Sequence, residues 1–152
     1  MQVFRHFQAN YRAPLALAIG NFDGLHLRHQ ALLTRLVNEA KLQNVTSAVL
    51  TFEPHPREFF TPESAPARLC SMREKLEHFA AANVERVHIC RFDKRFASLS
   101  SQDFMRMILR DALNAQTILV GEDFRFGTKR AGSIVDIRQA GFGLISLPQV
   151  NL

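Results

Sequence analysis

The stretch LALAIGNFDGLHLRHQALL, residues 15–33, decides how this chain is read. Its first five residues are apolar without alternation, as in a strand buried on both faces. Gly20 and Gly24 let the backbone turn tightly, and from Leu27 or His29 onward Leu32, Leu33, Leu36 and Val37 recur along one helical face. A helix that starts at such a turn offers an anion its unpaired N–H groups and partial positive charge. His26 and His29, at i and i+3, fall on one side of that first turn. Two imidazoles there suit phosphate oxygens and the charge that builds as a phosphoryl bond is exchanged. A plain β-turn with two incidental histidines fits the short pattern equally well. The strand before it and the helix after it are what favour the phosphate turn.

Outward from this unit, strand and helix alternate about five times. VTSAVLTF (45–52) reads as a strand. EPHPREFFTPESAPARL, with four prolines, reads as loop and extended chain. SMREKLEHFAAAN opens with a capping box, Ser71 and Glu74, and ends on Asn83. VERVHICRF is a strand, SSQDFMRMILRDALN a helix capped by Ser100 or Ser101, and AQTILVG a strand. SIVDIRQAG is a short helix ending at Gly141, and FGLISLPQV the last strand. This order predicts an α/β fold, a parallel sheet with helices on both faces. Ligands of such sheets bind beyond the carboxyl ends of the strands. That selects NFDGLH, EPHP, FDKRF and EDFRFG as the stretches that carry chemistry.

Within them, His55 is held between Pro54 and Pro56 with Phe52 before it and Phe59 and Phe60 after it. The stretch suits a preformed wall for a ring, and equally a surface loop packing its phenylalanines inward. GEDFRFGTKRAG places Asp123, Phe124 and Phe126 beside the cations Arg125, Lys129 and Arg130. Phe spacing of two sets both rings on one side of extended chain, a platform for a flat phosphorylated heterocycle or a piece of core.

The 152 residues fit one domain with a proper core. The composition is globular, 47% hydrophobic, and the net charge of +5 favours anionic partners without choosing among them. No GxGxxG, GxxxxGK[ST] or GxSxG occurs. The basic run RFDKRF reads as an ordinary loop, so nucleic acid is not an expected partner. Cys70 and Cys90 stand apart, with no CxxC and no Cys/His cluster, which predicts free thiols, a cytoplasmic protein and no protein-built metal site. APLALAI is too short to span a bilayer, and no membrane partner is expected.

In their order, AIGNFDGLHLRHQALL, TFEPHP, REKLEHFAAANVERV, FDKRFASLSSQDFM and ILVGEDFRFGTKRAG resemble the FMN adenylyltransferase (FAD synthetase) module of bacterial bifunctional riboflavin kinase/FMN adenylyltransferases. The resemblance runs over almost the whole chain. It implies a Rossmann-like nucleotidyltransferase fold and adenylyl transfer from ATP to FMN, with magnesium, giving FAD and pyrophosphate. By that resemblance His26 and His29 match the histidines of an HxGH motif that contact ATP phosphates. Gly20, Asn21, Phe22, Asp23 and Gly24 match the nucleotide turn. Phe52, His55 and Pro56 fall on the flavin side, and Asp123, flanked by Phe124 and Phe126, matches the flavin-phosphate pocket.

Three departures accompany the match. Arg28 stands where HxGH has glycine, either filling the close approach of a phosphate or binding one itself. The sequence has no ISSTxxR-like stretch, which leads us to expect a module truncated at its C-terminal end and lacking the riboflavin kinase domain. An active FMN adenylyltransferase and an impaired homologue that still binds nucleotide or flavin are the two expectations these features leave.

Overall fold

A computed structural model of the chain describes residues 1–7, 13–23, 27–63 and 71–148. In chain order the strands are β1 (Gln2–Phe4), β2 (Leu15–Ile19), β3 (Thr46–Glu53), β4 (Arg86–Arg91), β5 (Ala115–Gly121) and β6 (Gly143–Leu147). The helices are α1 (Leu27–Gln43), α2 (Pro56–Phe60), α3 (Met72–Ala81), α4 (Lys94–Ala97), α5 and α6 (Ile134–Gln139). α5 opens as one α-helical turn, Ser101–Asp103, and continues with π-type hydrogen bonding over Phe104–Ala112.

All six strands join one sheet in the order β1-β4-β3-β2-β5-β6, each pair parallel. From β2 the chain steps through β3 to β4 on one side, then returns to place β5 and β6 on the other. The strand order therefore reverses between β2 and β5, where a crevice opens at the carboxyl edge of such a sheet.

Every residue of β2 is buried, and its alternation sorts two cores. Leu15, Leu17 and Ile19 meet Phe104, Ile108 and Leu109 of α5 and Ile137 of α6. Ala16 and Ala18 face Leu32, Leu33, Leu36 and Ala40 of α1 and Phe79 of α3. Methyl side chains on that face let α1 approach the sheet closely. Leu36 is wholly buried there, and cutting it to alanine removes roughly 2–5 kcal/mol.

Three helices close on an asparagine in the left-handed region: Asn44 after α1, Asn83 after α3 and Asn114 after α5. In two of them the next amide reaches back five residues, Val45 N to the Ala40 carbonyl and Val84 N to the Phe79 carbonyl. This Schellman pattern satisfies orphaned carbonyls and feeds the chain straight into β3 and β4.

The structure corrects the sequence expectation in three places. β1 makes the sheet six-stranded, not five-stranded. Part of the proline-rich stretch, expected as loop, is helix α2, with Pro56 at its first turn and the His55 side chain as its N-cap. RFDKRF, expected as loop, contains α4, capped by the Asp93 side chain accepting from Phe96 N at 2.9 Å. Of the two candidate caps for α5, Ser100 is the one used, accepting from Asp103 N at 3.1 Å. No helix among the described residues is long and apolar enough to cross a membrane.

Candidate active site

The four post-strand stretches converge on one cleft of about 940 Å³ at the carboxyl edge of the sheet. On one side stands the turn after β2. Gly20 N donates to the Leu50 carbonyl at 3.2 Å and Thr51 Oγ1 donates to the Asn21 carbonyl at 3.3 Å, so β3 anchors the turn. Phe22 has φ +52°, rare for a bulky side chain, and its ring is buried 5.1 Å edge-on to Phe79 and 5.2 Å from the His29 imidazole. A Cβ at Gly20 would come within 3.2 Å of that ring, so the glycine makes room for it. The first turn of α1 carries no acidic residue, which leaves its N-terminus favourable to an anion. The side-chain oxygens Asn21 Oδ1 and Asp23 Oδ1 are buried at this turn with no hydrogen-bond partner.

The opposite wall is aromatic. Phe92 lies 5.7 Å from Phe60, 6.2 Å from Phe52 and 5.3 Å from Phe96. Phe96 reaches Phe104 at 6.0 Å, Phe104 reaches Phe126 at 5.3 Å, and Phe126 stacks on Phe124 at 5.6 Å with an 18° tilt. This continuous run of rings supplies wide apolar surface at low entropic cost.

The loop after β5 closes the far end. Thr128 N donates to the Leu99 carbonyl at 2.7 Å. Gly127 has φ +79°, and a Cβ there would lie 2.7 Å from the Ser101 amide nitrogen, so only glycine lets the loop seat on the start of α5. Lys129 and Arg130 follow with φ +56° and +53°, and both border the cleft. Left-handed backbone at two successive non-glycine residues costs on the order of 1 kcal/mol each, a strain that the seated loop holds in place.

His55 borders the cleft between these parts, its Nδ1 accepting from Arg57 N at 3.0 Å. Burial pushes its pKa below the ordinary histidine value, and the charges of Lys75 and Arg57 act the same way against Asp23 and Glu58. These influences together favour the neutral imidazole.

Of the residues singled out in the sequence, Gly20, Asn21, Phe22, Asp23, His29, Phe52, His55, Pro56, Asp123, Phe124 and Phe126 all border this one cleft. Gly24 and His26 lie outside the described residues, as does the side chain of Arg28, whose backbone belongs to α1. Sequence reasoning missed Phe104, on a helix and not at a strand end. It also gave no role to Phe92 and Phe96, although FDKRF follows a strand and a concentration of phenylalanine there was visible.

A parallel sheet covered on both faces, with a glycine turn and helix N-terminus at its switch point, defines a Rossmann-like α/β domain of the nucleotide-binding kind. The family model described as FAD synthetase matches residues 8–152, and the chain belongs to that family. It is 45% identical over 144 residues to the bifunctional riboflavin kinase/FMN adenylyltransferase of Escherichia coli (strain K12), covering 93% of this chain and 46% of the relative. To the Pseudomonas fluorescens protein of the same description it is 47% identical over 123 residues, covering 81% and 39%. The chain thus spans less than half the length of these relatives. Among solved structures, one titled as a macrolide-efflux protein from Streptococcus pneumoniae superposes with a TM-score of 0.84 at 23% identity, covering 99% of this chain and 52% of that one. That likeness bears on the fold.

Proposed function

We propose that the chain transfers the adenylyl group of ATP to FMN, forming FAD and releasing pyrophosphate. One observation carries this reading: a single cleft joins an anion-favouring turn to a wall of phenylalanine rings that ends on Asp123 and the cations Arg125, Lys129 and Arg130. The turn suits a triphosphate and the rings suit an isoalloxazine. The printed descriptions of the relatives support the same pair of substrates.

In this reaction a phosphate oxygen of FMN attacks the α-phosphorus of ATP. The bond from that phosphorus to the bridging oxygen breaks, and pyrophosphate leaves with the electron pair. No protein nucleophile is required, so the residues act by position and charge. His29 donates hydrogen bonds to the phosphates from the first turn of α1, and the resemblance gives His26 the same part. Phe52, His55 and Pro56 on one side and Asp123, Phe124 and Phe126 on the other hold the flavin nucleotide in line. The resemblance implies a magnesium ion that comes with ATP, and such an ion needs only one or two protein oxygens beside the phosphates. Asn21 Oδ1 and Asp23 Oδ1, hard oxygens without partners, are the atoms that would hold it, and the ion would neutralise charge on the phosphates.

The test is FAD formation by the purified chain from FMN, ATP and magnesium, followed by chromatography. We expect turnover, and a fall of about a hundredfold in kcat for His29→Asn with FMN affinity kept. A chain that binds both nucleotides by calorimetry yet forms no FAD overturns the proposal in favour of a binding domain.

A further inference from the structure

A second cavity, of about 300 Å³, lies behind the phosphate turn between α1 and α3. Phe22 and His29 border it as well as the cleft, so they form the partition between the two. On the far side of that partition Lys75, in the second turn of α3, is 4% exposed. Lysines are almost never buried this far unless the ammonium is engaged by the protein, because stripping water from it costs several kcal/mol. The turn in front of it, Gly20–Asp23, contributes no cation of its own.

We propose, building on the adenylyl-transfer reading, that Lys75 is a positioning residue for the nucleotide. Its ammonium, held behind Phe22 and His29, supplies positive charge beneath the turn, favouring the triphosphate and the departing pyrophosphate. Charge placed in a poorly solvated site needs no reorganisation when the reaction occurs, and it acts at longer range than it does in water. Lys75 stands near enough to the cleft for its charge to join burial in lowering the pKa of His55, against Asp23 of the turn. The arrangement also accounts for α3, whose capping box fixes its start one residue before Met72 and so fixes where Lys75 stands.

The experiment compares wild type, Lys75→Met and Lys75→Arg. Calorimetry reads the affinity for α,β-methylene ATP with magnesium, a steady-state assay reads KM and kcat for FAD formation, and NMR follows the titration of His55. Methionine keeps the buried stem and removes the charge, so K75M should bind the analogue about tenfold or more weakly, with FMN affinity unchanged and His55 protonating at higher pH. K75R restores the charge and should bind within about threefold of wild type. A folded K75M that binds the analogue as wild type does, or a folded K75R as weak as K75M, overturns the inference. Should K75M not fold, K75R decides alone by the same threshold. A wild-type chain that binds the analogue but forms no FAD overturns the functional reading alone. A wild type and a K75M that form FAD equally well overturn the role of Lys75 alone.

Discussion

The ring of Phe22 lies 5.2 Å from the imidazole of His29, tilted by 56°, with backbone φ at +52°. A strained residue of the turn is thereby packed against the first turn of the helix that follows it. The ring is buried, held from behind by Phe79, and anchors the phosphate turn to both α1 and α3. Phe22→Ala should lower stability by roughly 3 kcal/mol, as for other buried phenylalanines. It should also weaken ATP binding about tenfold by freeing the turn. Urea unfolding and calorimetry read the two effects. A loss under about 1 kcal/mol would show that the ring is not the anchor.

Phe92, half-buried and bordering the cleft, packs against the rings of Phe52, Phe59, Phe60 and Phe96. Phe92→Ala should weaken FMN binding about tenfold through loss of the aromatic surface while leaving ATP affinity within a factor of about two. Quenching of flavin fluorescence measures the first and calorimetry the second. Equal FMN affinity in the variant would remove Phe92 from the flavin wall.

Cys90 is 4% exposed, and burial, with Asp93 adding to it, pushes its thiol up to about 12. Its thiolate is correspondingly scarce. In a Cys70→Ser variant, which leaves one thiol to observe, alkylation near neutral pH should run about a thousandfold slower than for a free cysteine and become fast in denaturant. Labelling of the native protein within minutes contradicts the burial.

How far the sequence reached follows from where each signal lies. β5 was legible from end to end because AQTILVG carries β-branched and apolar residues between an asparagine and a turn. α3 was legible because Ser71 and Glu74 form both hydrogen bonds of the capping box. β1 was not, since Gln2–Phe4 is short and largely exposed, and its pairing with Arg86–His88 is a contact across more than eighty residues that no local pattern records. α2 and α4 were missed because helices of four or five residues depend on their caps, here His55 and Asp93, and not on periodicity. The π-type register of α5 leaves no mark in composition either. In the site, residues at strand ends were found because the fold class says where to look. Phe104 was not, because it reaches the cleft from a helix face whose orientation only packing decides.

β1 carries a last consequence, in acid. His88 of β4 is 2% exposed and stacks on Phe4 of β1 with ring centroids 5.2 Å apart. Burial first, and then the charge of Arg86, lower its pKa from 6.5 to about 4. The imidazole is neutral in the fold and takes up a proton more readily in the unfolded chain, so protons favour unfolding. The stability at stake is fully present above about pH 6.5 and is lost progressively as the pH falls towards about 4, reaching about 3 kcal/mol by the 1.36 kcal/mol per pKa unit of linkage. His88→Phe keeps a ring against Phe4 but cannot titrate. Between about pH 7.5 and 4.5 its urea midpoint should fall less than that of wild type, by the equivalent of about 2–3 kcal/mol. Parallel loss in both proteins would assign the acid sensitivity to the carboxylates and not to His88.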